Sequence, residues 1–170
     1  NLDFSLKLAE QLSGPRFRIY ASDDILGVEL GGALKNVVAL AVGACRGLGL
    51  GASAEAAIIA RGFREISEIV NALGGRGQTL LGLSGLGDLV LTCSNELSRN
   101  LQFGMALGRG DDTTNLPLAE GAKTVSVAAR LARELDCDCA VIETIDRVVR
   151  GELSALESVN KLLARPLKPE

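Results

Sequence analysis

Two apolar, glycine-rich stretches of this 170-residue chain each carry a single charge, and the two charges have opposite signs. Within Leu30–Cys45 the lone charged side chain is Lys35, and within Leu80–Cys93 it is Asp88. Stretches this apolar must lie inside a folded protein, where an unpaired charge is strongly destabilising. Because lysine and aspartate are rarely buried without a partner, we expect Lys35 and Asp88 to meet.

The apolar surroundings of Lys35 also indicate a role in proton transfer. Removing an ammonium group from water disfavours its charged form, which makes proton transfer accessible near neutral pH. Asp88 has the opposite effect and can hold the lysine in place. Two structural alternatives stay open at this point: a purely structural ion pair, and a lysine whose ammonium group reaches solvent from a helix end.

The composition favours a helical core. Aromatic residues make up only 3% of the chain and tryptophan is absent, so the core must be built from Leu, Val, Ile and Ala. Such a core favours packed helices over a β-sandwich. The length predicts one domain with a sizeable core. A net charge of −3 argues against a nucleic acid or an anionic membrane as partner, and we predict no membrane span.

Neither a metal site nor disulfide bonds are expected. The chain has no histidine, which removes the commonest metal ligand. Its four cysteines form no C-x-x-C pair, so we predict no metal site and reduced thiols, as in a cytoplasmic protein. The glycine clusters at 47–51 and 82–87 do not match G-x-G-x-x-G and follow no strand, so neither is a dinucleotide fingerprint.

Residues 1–22 differ in character from residues 23–170. Leu2–Leu12 is a short amphipathic stretch, and Phe17–Tyr20 alternates like a strand that a sheet outside this chain would complete. From residue 23 onward we predict an all-α domain of about seven or eight helices. Helices are expected at about 25–48, from a cap at Ser53 to 73, at 78–83, 88–93, 94–108 and 119–135, with two more at the end.

The second of these helices has a regular apolar stripe, which predicts the face that packs on the core. The stripe is formed by Ile59, Phe63, Ile66, Val70 and Leu73. The charged residues of the same helix are assigned to its other faces, and they are Arg61, Arg64, Glu65 and Glu68. Frequent glycines inside the helices predict close backbone packing or close approach to a ligand.

A third informative segment is Ser98-Arg99-Asn100, in the first turns of a helix. Helix N-termini suit anions because their N–H groups lack partners there, and the arginine fork matches phosphate oxygens. Such a tripeptide is more often only a solvated helix face. Together with Lys35 and Asp88, it indicates a small substrate that carries phosphate and hydroxyl groups.

Three segments then make a specific resemblance. They read GVELGGALKN (27–36), GLGLGASAEAAIIARG (47–62) and GLSGLGDLVLTCSNELSRN (82–100), and Glu120-Gly121 opens a later helix. In this order and spacing they resemble the signature blocks of NAD(P)-dependent sn-glycerol-3-phosphate dehydrogenase of the bacterial type. The resemblance covers nearly the whole chain.

The resemblance implies a role for each matching position. Lys35 would be the proton donor or acceptor at the C2 oxygen of dihydroxyacetone phosphate. The implied substrate-binding residues are Lys35, Asp88, Ser98, Arg99 and Asn100. The implied cofactor-binding residues are Arg99, Leu118 and Glu120. The family usually continues with basic residues after Ser-Arg-Asn, whereas Leu101 and Gln102 follow here, which weakens the case for extra phosphate contacts.

The resemblance also implies a domain organisation. Residues 23–170 would be the all-α C-terminal substrate domain of a two-domain dehydrogenase, with a fold like the C-terminal domain of 6-phosphogluconate dehydrogenase. Residues 1–22 would be the last piece, with a strand remnant, of an absent Rossmann domain that binds most of the NAD(P)H. The implied partners are that domain and a small phosphorylated substrate, while a homodimer stays open. The product would supply phospholipid synthesis, and the chain alone is expected to be inactive.

Two other interpretations stay open. Other dehydrogenases of the 6-phosphogluconate or β-hydroxyacid type also use a helix lysine, but they pair it with an asparagine one turn further on. Here that position is Ala39, and Asn36 follows Lys35 directly. The second alternative is a non-catalytic helical interaction domain. Isolated charges in apolar helices argue against it, because they reduce stability without a structural gain.

Overall fold

The computed structural model describes residues 1–164, and within them the chain forms nine α-helices, one short π-helical segment and no strand. The helices are α1 (Leu2–Leu12), α2 (Ile25–Gly47), α3 (Ala52–Ala72), α4 (Gly77–Leu80), α5 (Asp88–Ser94), α6 (Arg99–Arg109), α7 (Glu120–Glu134), α8 (Ala140–Val149) and α9 (Ala155–Leu163), with the π-helical segment Leu83–Gly87 before α5. Eight of these helices follow residue 23, which confirms the predicted all-α domain. Residues 165–170 of that predicted domain lie outside the described residues.

Helix α2 is the centre of the core. All of its residues from 36 to 45 are buried, and it packs against α3, α5, α6, α7 and α8. By length and composition α2 could also cross a membrane, a match that the sequence analysis did not anticipate. The helices around it cover its apolar faces, so α2 has the surroundings of a core helix.

The glycines of α2 and α6 bring these two helices into backbone contact. A Cβ atom at Gly104 of α6 would overlap the carbonyl of Leu40, and one at Gly43 of α2 would overlap the carbonyl of Leu101. Gly47 and Gly108 form a second contact of the same kind one turn further on. Of the two explanations that the sequence left open, close backbone packing accounts for these glycines.

The N-terminal segment differs from its prediction. Residues 17–20 form no strand: Phe17 makes only an isolated bridge to Gly14, and residues 18–20 have no regular secondary structure. The physical reason is that the described chain offers no second strand with which this segment could pair. The exposed side chains of Phe17 and Tyr20 lie on the same segment.

Two helix starts also differ from prediction. Helix α6 begins at Arg99 rather than at residues 94–95, because the Asn95 side chain accepts from the backbone N–H of Leu97 and forms a turn there. Helix α3 begins at Ala52 after Gly51, whose φ of 85° suits glycine, so Ser53 does not cap it. The start of α2 fits the acidic pair that precedes it, since the Asp24 carboxylate caps the backbone N–H of Gly27 at 3.0 Å.

Glu65 is the clearest departure from the predicted pattern. Its position among charged residues of α3 predicted a polar face, yet the residue is only 2% exposed. Its carboxylate accepts from the backbone N–H groups of Val141 and Ile142, at 2.8 and 2.9 Å, in the first turn of α8. Cys139 precedes that helix without a side-chain cap of its own, so α3 supplies the missing cap.

Candidate functional site

The predicted site residues lie on α2 and on the first turns of three other helices. Asp88 is the first residue of α5, Arg99 the first of α6 and Glu120 the first of α7, while Lys35 lies midway along α2. Asp88 binds Lys35, while Asn100 of α6 and Glu120 of α7 hydrogen-bond to the neighbouring Asn36, so these three helix ends lie around one part of α2. The starts of α6 and α7, which suit anions, therefore lie near Lys35, whereas α5 continues directly from the π-helical segment.

Lys35 and Asp88 form an ion pair, as the sequence predicted. The Lys35 ammonium group donates a hydrogen bond to Oδ2 of Asp88. The side chains are 17% and 36% exposed, so the pair lies at the edge of the core and not within it. The ammonium group is therefore shielded yet reachable, and a molecule arriving from solvent can meet it beside the carboxylate.

A chain of amide side chains joins the helix starts behind this pair. Asn100 donates from Nδ2 to Oδ1 of Asn36 at 2.9 Å, and its own Oδ1 accepts from the backbone N–H of Gly121 at 2.8 Å. Asn36 also donates to a Glu120 carboxylate oxygen at 3.4 Å. Since Asn36 follows Lys35, these contacts fix the starts of α6 and α7 relative to the lysine.

Two of these observations concern residues in or next to the predicted site. Asn100 is buried and both ends of its amide are in use, so in this structure it fastens helices together rather than facing solvent. Asn36 was missed as a member of the site. The signal for it was present, because it is a second polar residue inside the apolar stretch that contains Lys35.

The remaining predicted residues face solvent to different degrees. The Arg99 guanidinium lies 3.7 Å from a Glu120 carboxylate oxygen, and the two side chains are 56% and 64% exposed. Leu118 is also exposed, just before α7. The Ser98 hydroxyl oxygen accepts from the backbone N–H of Leu101 at 3.3 Å and so caps α6. Arg99, Leu118 and Glu120 are therefore open to a further ligand or domain.

The nearby thiol is not a nucleophile. Cys93, near the end of α5, is buried, and this burial raises its pKa to about 12, so the thiol stays protonated near neutral pH. Cys45, Cys93, Cys137 and Cys139 are all free, as the sequence predicted. Across residues 1–164 no three potential ligands among His, Cys, Asp and Glu come together. The chemistry available here is that of a paired ammonium group and an open guanidinium group.

Comparison with known families gives an independent result. The sequence model of the family described as "NAD-dependent glycerol-3-phosphate dehydrogenase C-terminus" matches residues 24–160. A protein of Chelativorans named glycerol-3-phosphate dehydrogenase [NAD(P)+] is 56% identical over 163 residues, and one of Brucella ovis with the same name is 51% identical over 164. Each match covers 96% of this chain and 50% of the relative, so the chain spans about half the length of the curated relatives it matches.

A solved structure agrees with the sequence relatives. The crystal structure of glycerol-3-phosphate dehydrogenase from Coxiella burnetii superposes with a TM-score of 0.89 at 41% sequence identity. The match covers 97% of this chain and 52% of the Coxiella chain. Both the sequence and the helical arrangement therefore place this chain in the family of NAD-dependent glycerol-3-phosphate dehydrogenases, as their C-terminal domain.

Proposed function

We propose that this chain is the substrate domain of an enzyme that interconverts dihydroxyacetone phosphate and sn-glycerol 3-phosphate with NAD(P)H. The observation that carries the proposal is the partly buried Lys35–Asp88 pair, which is linked through Asn36 and Glu120 to the open guanidinium group of Arg99. The names of the relatives support this assignment of the reaction. The activity would supply glycerol 3-phosphate for phospholipid synthesis, and the four free thiols support a reducing cytoplasm.

In this proposal Lys35 is the general acid and base of the reaction. Reduction of a ketone places negative charge on its oxygen, and a positioned acid stabilises that charge. The Lys35 ammonium group donates its proton to the C2 oxygen in this direction and accepts it in the reverse direction. Asp88 holds the ammonium group in place, and the remaining exposure of both side chains leaves room for the substrate.

Arg99 and the start of α6 hold the phosphate. A guanidinium fork matches phosphate oxygens, and the N-terminal end of a helix favours negative charge. The Arg99 side chain is half exposed and its only ion-pair partner in residues 1–164 is Glu120, at 3.7 Å. This contact is loose enough for a phosphate group to compete for the guanidinium group.

The residues present fit part of a nicotinamide cofactor site. Arg99, Leu118 and Glu120 are exposed together around the starts of α6 and α7, which suits contact with a cofactor held mainly by a neighbouring domain. When bound, NAD(P)H supplies the hydride. The role of this chain is to orient the ketone beside it and to provide the proton.

The decisive experiment joins this chain to the half of the Chelativorans relative that it does not match, placed ahead of Asn1. We expect this joined protein to consume NADPH with dihydroxyacetone phosphate, measured by absorbance, and the 170-residue chain alone to show no turnover. Robust turnover by the chain alone would disprove the proposal that a second domain is needed to bind the cofactor. A folded joined protein that binds NADPH but leaves the substrate unchanged would favour a non-catalytic domain.

A second arm tests the phosphate anchor. Arg99→Ala in the joined protein should lower kcat/KM by an amount that corresponds to roughly 2–5 kcal/mol, as expected for loss of one partner of a charge pair that the bound substrate buries. Dihydroxyacetone lacks the phosphate, so Arg99 has no group to bind and cannot help to position the reacting carbon. With this ketone the loss of kcat/KM should therefore largely vanish. Equal losses with both ketones would mean that Arg99 serves the cofactor or the fold.

A further inference from the structure

Helix α5, which carries Asp88, contributes only a small part of the core. It has seven residues and no side-chain cap at its start, and of its apolar side chains only Leu89 and Cys93 are buried. Val90 and Leu91 face solvent. The π-helical segment Leu83–Gly87 runs directly into α5, and of its five residues only Gly85 is buried. The place of Asp88 therefore depends on a small number of contacts.

Two side chains of α2 provide the polar contacts to α5. Within residues 1–164, the side chains of other elements that hydrogen-bond to α5 are those of Lys35 and Arg46. Lys35 binds Asp88 at the start of α5, whereas Arg46 donates to the carbonyl oxygen of Cys93 near its end, at 3.3 Å. The two helices therefore lie side by side in the same direction, held at both ends of α5.

Lys35 and Arg46 lie on one face of α2, so one helix can make both contacts. Arg46 follows Lys35 by eleven residues, which is about three turns of an α-helix and returns the side chain to the same face. A cation is also well placed at the end of α5, because the last carbonyl groups of a helix lack partners and carry partial negative charge. Arg46 meets one of these carbonyl groups directly.

Arg46 is itself held rigidly by α3. Its Nε and Nη2 atoms donate to the two carboxylate oxygens of Glu55, at 3.0 and 2.6 Å, and the same Nη2 reaches Cys93. Glu55 lies in the first turn of α3, where a carboxylate is favoured. The hydrogen bond from Arg46 lowers the pKa of Glu55. Because both side chains are largely shielded from solvent, the fork-to-carboxylate contact fixes the guanidinium plane.

We propose that Arg46 is a positioning residue for the Lys35–Asp88 pair. Held by Glu55, it fixes the end of α5 against α2, and it thereby sets the distance between the carboxylate at the start of α5 and the lysine. The effect on turnover rests on the function proposed above. The effect on the place of Asp88 stands without that function.

The test uses Arg46→Met in the joined protein and in the 170-residue chain. We expect kcat with dihydroxyacetone phosphate to fall roughly 10- to 100-fold, the scale of a small misplacement of a catalytic group, with the KM for NADPH unchanged. In an Asp88→Asn background the same change should cause no further loss, because Arg46 acts through Asp88. Equal losses in the two backgrounds would show a general structural role and overturn the proposal.

Arg64→Met is the matched control, and Arg46→Lys is a milder variant of the same position. Arg64→Met removes a guanidinium from α3 that pairs with Glu68 on the same helix, so turnover should not change. If Arg46→Met does not fold, Arg46→Lys keeps the charge but loses the two-point contact, and its smaller loss should show the same dependence on Asp88. A lysine variant with full turnover would overturn the proposal.

A measurement without turnover separates this inference from the proposed function. In the 170-residue chain, the ¹³C signal of the Asp88 carboxyl group reports its contact with Lys35. We expect Arg46→Met to move that signal toward its position in Lys35→Met, and Arg64→Met to leave it in place. An unmoved signal in folded Arg46→Met would overturn the inference even if the joined protein proved inactive.

Discussion

Two carboxylates of this molecule lie at helix starts and differ in what surrounds them. Asp88 begins α5, pairs with the Lys35 ammonium group and is 36% exposed. Glu65 caps the start of α8 from a neighbouring helix, is 2% exposed and receives two backbone hydrogen bonds in place of a cation. An exposed pair can exchange its partner for a ligand, whereas a sealed carboxylate can only support the fold. The first arrangement suits function, and the second suits stability.

Replacing Lys35 tests the functional side of this comparison and carries the largest expected effect. Lys35→Met in the joined protein should lower kcat by about 10²- to 10⁴-fold, the usual contribution of a positioned acid or base. The free energy of unfolding should change by less than about 1 kcal/mol, because Asp88 is exposed enough to regain water. Stopped-flow kinetics and denaturant unfolding measure the two effects.

Lys161→Met provides the matched control, since it removes an exposed lysine from α9. It should change neither turnover nor stability. If Lys35→Met unfolds easily but keeps its turnover, Lys35 serves the fold. Asp88 would then have a structural role, as Glu65 does.

The sequence located one of these carboxylates and misjudged the other. Lys35 and Asp88 are visible because each interrupts a long apolar stretch, and such a charge needs a partner wherever the stretch is buried. Glu65 lies between Arg64 and Ile66 on an amphipathic helix, a pattern equally typical of a solvated face. Its burial depends on where α8 begins in space, which no local pattern encodes.

The other features of the fold divide in the same way between local and long-range causes. The all-α fold follows from aliphatic composition and helical periodicity, which are local properties of the chain. The start of α6 and the missing strand depend on a side-chain turn at Asn95 and on a pairing partner for residues 17–20. The amide chain through Asn36 and Asn100 joins residues 64 positions apart, so it becomes evident only in the folded structure.

The pH dependence of stability tests the sealed carboxylate. Burial raises the pKa of Glu65 from 4.5 to about 7, against the opposing effect of the two backbone hydrogen bonds. The folded state therefore binds this proton more tightly than the unfolded state does. The contribution to stability is complete below pH 4.5 and is lost as the pH rises through 7, by on the order of 3 kcal/mol in total.

Denaturant unfolding between pH 4.5 and 8 measures this loss, and Glu65→Gln should remove most of the slope. We expect the variant to be less stable at every pH, because a carboxamide oxygen does not replace both carboxylate oxygens as acceptors. The decisive quantity is the slope of stability against pH. Glu68→Gln on the same helix, which removes a more exposed carboxylate, should leave the slope unchanged. If Glu65→Gln retains the full slope, another group is responsible.

The smallest expected effect concerns the strength of the Lys35–Asp88 pair itself. Because both side chains retain contact with water, their coupling should resemble that of surface ion pairs, at about 0.2–1 kcal/mol. A double-mutant cycle with Lys35→Met and Asp88→Asn, followed by denaturant unfolding, isolates this coupling from the other effects of each change. In 1 M salt the screening length is about 3 Å, so the coupling should shrink further. A coupling above about 2 kcal/mol that persists in salt would show that the pair is shielded from solvent as fully as Glu65 is. The ammonium group would then be committed to its carboxylate, and the proton donor would have to be sought elsewhere.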